Sequence, residues 1–204
     1  MNIVRDMGPE EYKSNVLGLA KTAKTLEMPV VLTTSCDWGP NGPILPELAG
    51  MFPDEEVVRR PEVINAYRWP AFREAVEATG RKKVIIAAVT TTTCLQFPAL
   101  DMVLDGYEVH GVLDVSGSES AMAREAAVAT LAQSGTKIRT WFSVAAELVA
   151  DWRLDEAEGW PLAAGAVREH LPAWGHLLDT NMAYATGQME TPEWFQPLPA
   201  RDRA

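Results

Sequence analysis

Cys94 is the residue of this sequence that is best placed for covalent chemistry. It follows the continuously apolar segment 83–89, which is typical of a central parallel strand, and it lies at the start of a helix predicted over about residues 93–104. In open α/β sheets, ligands bind at the carboxyl ends of the strands. Free N–H groups at a helix start stabilise a thiolate and could also bind the oxyanion of an acyl-transfer intermediate. Cys94 is therefore a candidate nucleophile; the alternative is a small, inert, buried residue.

Arg60 and Cys36 also lie at the ends of predicted strands. Arg60 could hold a thiolate or an anionic group of a substrate, but next to Arg59 it could equally be a solvated surface charge. Cys36 is interpreted as a loop residue. A disulfide between Cys36 and Cys94 is possible in principle, but a chain with only two cysteines favours a reducing compartment, where such a bond is not expected.

Other common chemistries lack their motifs in this sequence. There is no Gly-x-Ser-x-Gly nucleophile elbow, no Gly-x-x-x-x-Gly-Lys phosphate loop and no Gly-x-Gly-x-x-Gly dinucleotide motif. The histidines, His110, His170 and His176, do not have the spacing of metal ligands. The sequence therefore predicts neither a metal nor a cofactor, and it disfavours a flavodoxin-like nucleotide binder.

The charge balance limits the class of partner. Lys and Arg number 18 and Asp and Glu number 28, which gives a formal net charge of −10. Nucleic acids and anionic membranes would repel such a chain, so neither is expected as a partner. No apolar stretch approaches the ~18 residues of a membrane span, and the first residues do not resemble a signal peptide. These features predict an acidic globular protein of the cytoplasm.

Helical and strand patterns alternate along the chain. They predict helices at about 9–26, 45–52, 69–80, 93–104, 119–133 and 143–152, and strands at 29–35, 56–59, 83–89, 107–115 and 137–142. Such alternation predicts an α/β fold in which a parallel sheet is covered by helices on both faces. Residues 1–153 are assigned to this domain. Residues 154–204, rich in Trp and Pro, are predicted to be irregular with at most one helix, at 162–169, and to pack on the domain or on a neighbouring subunit.

The predicted order of elements lacks a first strand. Doubly wound sheets normally open with a central strand, whereas residues 1–8 are too few to hold a strand and its loop. A central strand is therefore expected to be missing, and its expected neighbours at 30–34 and 84–88 would each lose a ladder of backbone hydrogen bonds. The natural protein could be longer than this sequence, the sheet could close over the gap or another segment could fill it, or the chain could be an inactive remnant.

Four segments resemble a known family. Residues 84–100, VIIAAVTTTTCLQFPAL, are similar to the nucleophile segment of the isochorismatase-like cysteine hydrolases, an apolar strand followed by Gly-Val-x-Thr-Glu/Asp-x-Cys. The YcaC-like branch is further indicated by TTSCDWGPNGP at 33–43, RPEVINAY at 60–67 and TWFSVAAEL at 140–148 running to DWR at 151–153. The resemblance covers essentially the whole chain, in order.

The resemblance implies a Rossmann-like three-layer α/β/α fold with an Asp–Lys (or Arg)–Cys site. Cys94 matches the nucleophile that attacks an amide or related carbonyl, and Arg60 matches the basic position. Backbone N–H groups near Thr90 and Cys94 match the oxyanion hole. The remaining implied features are a pocket lined by Asn65 and Phe97 and a cis peptide bond between Val89 and Thr90.

The resemblance also has implications for metals and assembly. Metal-dependent relatives carry an Asp-x-His-x-His cluster, whereas Ser35, Cys36 and Asp37 offer no histidine. YcaC-like proteins form homo-oligomers, commonly octamers, so a homo-oligomer is expected here as well.

Three departures from the family pattern bear on activity. The family aspartate that acts as general base ends the first strand, and the segment 3–7 matches the residues directly after that strand, so this aspartate is not in the sequence. Ala88 replaces a glycine, and Thr92 replaces the acidic residue before the cysteine. Two hypotheses result: a cysteine hydrolase acting on a small amide, imide or related carbonyl compound, with activity impaired by the missing aspartate, or a catalytically inactive oligomeric scaffold of the same fold.

Overall fold

The computed structural model describes residues 3–39, 41–150 and 163–187. Its helices are α1 (Pro9–Thr25), α2 (Pro46–Met51), α3 (Pro70–Ala78), α4 (Gln96–Leu104), α5 (Ala121–Gln133), α6 (Trp141–Val149), α7 (Arg168–His170) and α8 (Pro172–Ala185). Its strands are β1 (Thr33–Ser35), β2 (Val58–Arg60), β3 (Lys83–Ile86), β4 (Glu108–Val112) and β5 (Lys137–Arg139). Short 3-10 turns lie at Ala66–Arg68 and Leu113–Val115, and π-helical turns lie at Thr91–Leu95 and Ala163–Val167. None of the described helices is long and apolar enough to cross a membrane.

The helix starts follow from local sequence signals. Pro9 is the first residue of α1 and Pro70 is the first residue of α3. The first N–H groups of a helix have no intrahelical acceptor, so a proline, which lacks the N–H, costs no hydrogen bond there. Ser120 caps α5 by accepting a hydrogen bond from the N–H of Ala123 at 3.1 Å. These signals place the helices close to where the periodicity predicts them.

Several predicted boundaries are wrong: the strands predicted at 29–35, 83–89 and 107–115 are shorter in the structure, at Thr33–Ser35, Lys83–Ile86 and Glu108–Val112. The strand predicted over 137–142 ends at Arg139, because Thr140 and Ser143 form a capping box that starts α6 at Trp141. The tail predicted to be irregular contains α8, which has 14 residues and begins at Pro172. Its amphipathic pattern is weak, so periodicity did not reveal it.

All strand pairs are parallel, and helices cover both faces. β1 pairs with β2, while β4 lies between β3 and β5. One core cluster packs α3 and α4 against the face that carries Val84 and Ile86, and a second packs α1 and α6 against the face that carries Ile85 and Ala87. Since successive side chains of a strand point to opposite faces, β3 contributes to both cores. The predicted three-layer α/β/α fold is confirmed.

The described strands form two separate sheets, one of β1 and β2 and one of β3, β4 and β5. On β1, the carbonyl of Leu32 and the N–H of Cys36 bond to β2. Because backbone groups alternate in direction along a strand, those of Thr33 point away from β2. On β3, the carbonyl of Lys82 bonds to Glu108, so the backbone groups of Ile85 likewise face away from β4. Within residues 3–39, 41–150 and 163–187, no strand pairs with either of these two edges.

Residues 163–187 pack against α1 and α6. Trp174 contacts Phe142 of α6 with ring centroids 5.3 Å apart. His170 lies against Gly18 of α1, where an added Cβ would come within 3.0 Å of the His170 Cβ. The described part of the tail therefore covers one helical layer of the domain; Trp160, Trp194 and Phe195, which were also expected to pack, lie outside the described residues.

Candidate functional site

Cys94 lies in a π-helical turn rather than in the first turn of an α-helix. The turn spans Thr91–Leu95, and α4 begins only at Gln96. The N–H of Leu95 donates to the carbonyl of Thr90 at 3.1 Å, which closes the wide ring of a π turn. Leu95 is fully buried, whereas Cys94 is half-buried with a free thiol. The turn therefore anchors Leu95 in the core and leaves the neighbouring sulfur accessible.

The π turn is held by the loop after β4. Thr91 is fully buried; its N–H donates to the carbonyl of Gly117 at 2.8 Å and its hydroxyl to the carbonyl of Ser116 at 2.7 Å. The peptide bond between Val89 and Thr90 is cis, which confirms the expectation from the resemblance. The carboxyl ends of β3 and β4 thus jointly fix the backbone that carries Cys94.

Asp6, which the sequence did not single out, anchors the same loop. Its carboxylate accepts from the N–H of Ser118 at 2.8 Å and from Nη1 of Arg124 at 2.5 Å, and its side chain is only 2% exposed. Val4 packs on Gly117 so closely that a Cβ there would lie 2.3 Å from Val4 Cγ2. No local motif marks Asp6, because its partners are distant in sequence.

Arg60 is buried beside Cys94. Its Nε donates to Thr33 Oγ1 at 3.1 Å, and its Nη1 donates to the carbonyls of Val63 and Ile64. Burial lowers the pKa of Arg60, and the interaction with Cys94 opposes that shift. The structure therefore brings together the two side chains that the sequence placed in the site.

Arg60 takes part in none of the ion pairs among the described residues. Besides Cys94, its partners within this part of the chain are a hydroxyl and two carbonyl oxygens, which are neutral. A buried charge is normally paired, because removing it from water without compensation is costly. The Arg60 guanidinium is thus a cation without an anionic partner among the described residues, and Cys94 lies beside it.

The neighbouring Arg59 lies on the opposite side of β2 and has a different role. Its side chain is largely exposed and forms a two-point ion pair with Asp37, with both N–O distances 2.8 Å. This pair lowers the pKa of Asp37. The alternation of side chains along a strand separates the two arginines, so the interpretation as a surface charge applies to Arg59 and not to Arg60.

Asn65 and Phe97, the expected pocket residues, differ in their surroundings. Asn65 is buried; its Oδ1 accepts from the N–H of Tyr67 at 3.1 Å and its Nδ2 donates to Asp101 at 2.8 Å. Asn65 therefore ties the Ala66–Arg68 turn to α4. Phe97 is 37% exposed and lies one helical turn beyond Cys94. Their contact with a substrate stays a prediction.

Two cavities lie away from Cys94. The larger of the two, about 710 Å³, is lined by residues of β2, α3 and the segments before β1 and β2. The smaller, about 130 Å³, is lined by Tyr67, Arg68, Arg73, Asp101, Leu104 and Asp105. Neither lining includes Cys94 or Arg60. Within the described part of the chain, no three His, Cys, Asp or Glu side chains converge as a metal site.

The chain is similar to known proteins over most of its length. A family model described as the isochorismatase domain matches residues 5–143. The chain is 43% identical over 178 residues to the probable hydrolase YcaC of Escherichia coli (strain K12), a match that covers 87% of this chain and 84% of that protein.

Two solved structures are similar over most of their length. YcaC from Pseudomonas aeruginosa, solved with hexane-2,5-diol and covalent acrylamide, superposes with a TM-score of 0.83 at 41% identity, covering 89% of this chain and 88% of that one. The structure of E. coli YcaC, described as an octameric hydrolase of unknown specificity, gives a TM-score of 0.84 at 41% identity, covering 89% and 87%.

Proposed function

This chain belongs to the isochorismatase family, and we propose that it is a cysteine hydrolase that cleaves a small amide, imide or related carbonyl compound through Cys94. The observation that carries the proposal is the buried Arg60 guanidinium, which lies beside Cys94 and has no anionic partner among the described residues. A thiolate formed at Cys94 during the reaction would place a negative charge beside this cation, which is why Cys94 is the proposed nucleophile.

The proposed reaction proceeds in two stages. The Cys94 thiolate forms a C–S bond to the carbonyl carbon, and the π electrons of the carbonyl move onto its oxygen. The N–H groups of Thr90 and Cys94 are the proposed donors to this oxyanion. The C–N bond then breaks, and the amine leaves with the proton that the thiol gave up. In the second stage, water cleaves the thioester, which releases a carboxylic acid and restores the thiol.

The substrate is proposed to lie at the open carboxyl edge of the strands. Cys94 is half-buried and Phe97 is exposed one turn further along the chain, so an aromatic surface adjoins the nucleophile. Asn65, which is tied to Tyr67 and Asp101, is proposed to shape the wall behind it. Acrylamide is an electrophilic primary amide, so its covalent presence in the P. aeruginosa relative supports a reactive nucleophile in the proposed site.

A homo-oligomer in the cytoplasm is part of the proposal. The E. coli relative is described as octameric, and this chain exposes large apolar side chains such as Leu104 at 84% and Met122 at 79%. Exposed apolar surface is typical of protein interfaces. Native mass spectrometry of the purified chain tests the octamer directly.

The test of the activity is a panel of small primary amides and imides assayed for amine release. The proposal expects turnover of at least one compound by the unmodified chain and none by Cys94→Ala. Cys36→Ala is the matched control, because Cys36 is the other free thiol and should be dispensable. Hydrolysis that survives in Cys94→Ala would overturn the proposal.

The divided sheet favours a second candidate, a catalytically inactive oligomeric scaffold. One edge of β1 and one edge of β3 are unpaired within the described residues. This candidate predicts a stable assembly with no amide turnover, and with equal behaviour of the unmodified chain and Cys94→Ala.

A further inference from the structure

Three threonine hydroxyls connect Cys94 to a carboxylate. Thr93 Oγ1 lies 3.6 Å from Cys94 Sγ and 2.8 Å from Thr90 Oγ1. Thr90 Oγ1 lies 3.0 Å from Thr92 Oγ1, which in turn lies 3.2 Å from both carboxylate oxygens of Glu119. The contacts form one continuous hydrogen-bonded chain from the sulfur to the carboxylate.

The carboxylate determines the direction of these hydrogen bonds. An ionised carboxylate only accepts, whereas each threonine hydroxyl has a single proton to donate. Thr92 therefore gives its proton to Glu119, and Thr90 gives its proton to Thr92. While Cys94 carries its proton, Thr93 in turn donates to Thr90 and can accept the S–H proton; once the thiolate has formed, Thr93 donates to Sγ.

The backbone fixes the Cys94 end and the Glu119 end of this hydrogen-bonded path relative to each other. Glu119 comes directly after the Ser116–Ser118 loop, and that loop accepts two hydrogen bonds from Thr91 of the π turn, at 2.8 and 2.7 Å. Thr90 is buried, whereas Glu119 is exposed. Thr90, in the middle of the hydrogen-bonded path, is thus shielded from water, and Glu119, at its end, can exchange protons with solvent.

We propose that Glu119 receives the thiol proton of Cys94 through the hydroxyls of Thr93, Thr90 and Thr92. This inference rests on the proposed hydrolase function. In the step, the S–H proton moves to Thr93, the Thr93 proton to Thr90, the Thr90 proton to Thr92 and the Thr92 proton to Glu119. The products are a thiolate and a neutral carboxylic acid, with no change in net charge. Thr93 then donates to the thiolate, and the reverse transfer returns the proton to the leaving amine.

Glu119 touches no reacting atom in this scheme and acts only through the three hydroxyls. A relay and simple charge repulsion therefore make opposite predictions. If Glu119 acted only as a nearby negative charge, its removal would favour the thiolate and speed the reaction of Cys94. If it receives the proton, its removal slows that reaction.

The test uses p-nitrophenyl acetate as an activated acyl donor, with the burst of p-nitrophenolate measuring acylation of Cys94 in the full-length chain. Glu119→Gln and Thr92→Val are each expected to slow the burst about 100-fold, the lower end of the contribution of general-base catalysis. The double variant should be no slower than either single variant, because both interrupt one relay. Thr92→Ser, which keeps the hydroxyl, should restore the rate.

Two further readouts separate a relay from a structural role. The unmodified chain should show a normal solvent isotope effect in D₂O on the burst, and Glu119→Gln and Thr92→Val should lose it. Glu125→Gln removes an exposed carboxylate of α5 and is the matched control, expected to leave the rate unchanged. A Glu119→Gln variant that acylates at the original rate or faster would overturn the relay.

Failure of the relay is distinguishable from failure of the proposed function. If Cys94→Ala abolishes the burst while Glu119→Gln leaves it intact, the nucleophile stands and the relay is wrong. If Cys94→Ala still shows the burst, the proposed function fails, and the relay fails with it.

Discussion

Arg60 and Thr33 are joined across the β1–β2 pair: Nε of Arg60 donates to Thr33 Oγ1 at 3.1 Å, and Thr33 Oγ1 donates to the carbonyl of Val58 at 2.7 Å. One hydroxyl therefore accepts from the guanidinium and is itself fixed by the neighbouring strand. This contact, rather than an ion pair, orients the cation that faces Cys94.

Removing the Thr33 hydroxyl should destabilise the protein. Thr33→Val keeps the shape of the side chain but leaves a buried guanidinium N–H without its acceptor, at a cost of about 1–3 kcal/mol. Urea denaturation measures the free energy of unfolding. Thr33→Ser retains the hydroxyl and should remain within about 1 kcal/mol of the original; equal stability of the Val and Ser variants would contradict the assigned contact.

Breaking the pair of Asp6 and Arg124 should loosen the loop that holds the π turn. Asp6→Asn removes a buried charge and leaves Arg124 unpaired, with an expected loss of about 3 kcal/mol, the lower end for buried pairs because Arg124 is a quarter exposed. A double-mutant cycle with Arg124→Met measures the coupling between the two side chains. Additive effects of the two substitutions would show that the pair does not couple.

Acid should destabilise the protein partly through Glu108. Hydrogen bonds from Lys137 and His110 lower the pKa of Glu108 from 4.5 to about 2. Because the pKa is lower in the folded state, this stabilisation is present above pH 4.5 and is lost as the pH falls through about 2. Glu108→Gln should flatten the fall in stability across that window, as measured by thermal unfolding at a series of pH values. The same slope in Glu108→Gln and in the unmodified chain would contradict this assignment.

The divided sheet predicts an alternating pattern of amide hydrogen exchange. The N–H groups of Thr33 and Ile85 point away from β2 and β4, whereas those of Thr34 and Ile86 bond to these strands. Exchange should therefore be faster at Thr33 and Ile85 than at their neighbours. Nuclear magnetic resonance resolves the individual amides. Equal protection of both sets would indicate that the two edges are paired.

Sequence periodicity predicted the layers of this fold well, because hydrophobic spacing reports local geometry directly. The parallel sheet, α1 and the apolar β3 follow from that spacing. The resemblance added the neighbourhood of Arg60 and Cys94, which lie far apart in sequence. The periodicity did not predict the start of α6, where the capping side chains of Thr140 and Ser143 override an apolar run that is typical of a strand.

Long-range polar contacts explain why part of the site was not predicted from the sequence. Asp6 and Glu119 are ordinary acidic residues in a chain rich in them, and only the fold brings them to Arg124 and Thr92. The π turn at Cys94 depends on hydrogen bonds between Thr91 and the loop after β4. Such contacts leave no periodic trace in the sequence, so no spacing rule predicts them.

Activation of Cys94 by the buried Arg60 is tested most directly by the rate at which iodoacetamide alkylates Cys94 at neutral pH. Peptide mass spectrometry follows Cys94 and Cys36 separately, and circular dichroism establishes that each variant is folded. We predict that Cys94 reacts faster than Cys36, and that Arg60→Met slows Cys94 about tenfold or more, equivalent to about 1.4 kcal/mol. Arg59→Met, the exposed neighbour, should leave the rate unchanged. A folded Arg60→Met variant that alkylates at the original rate would contradict this activation.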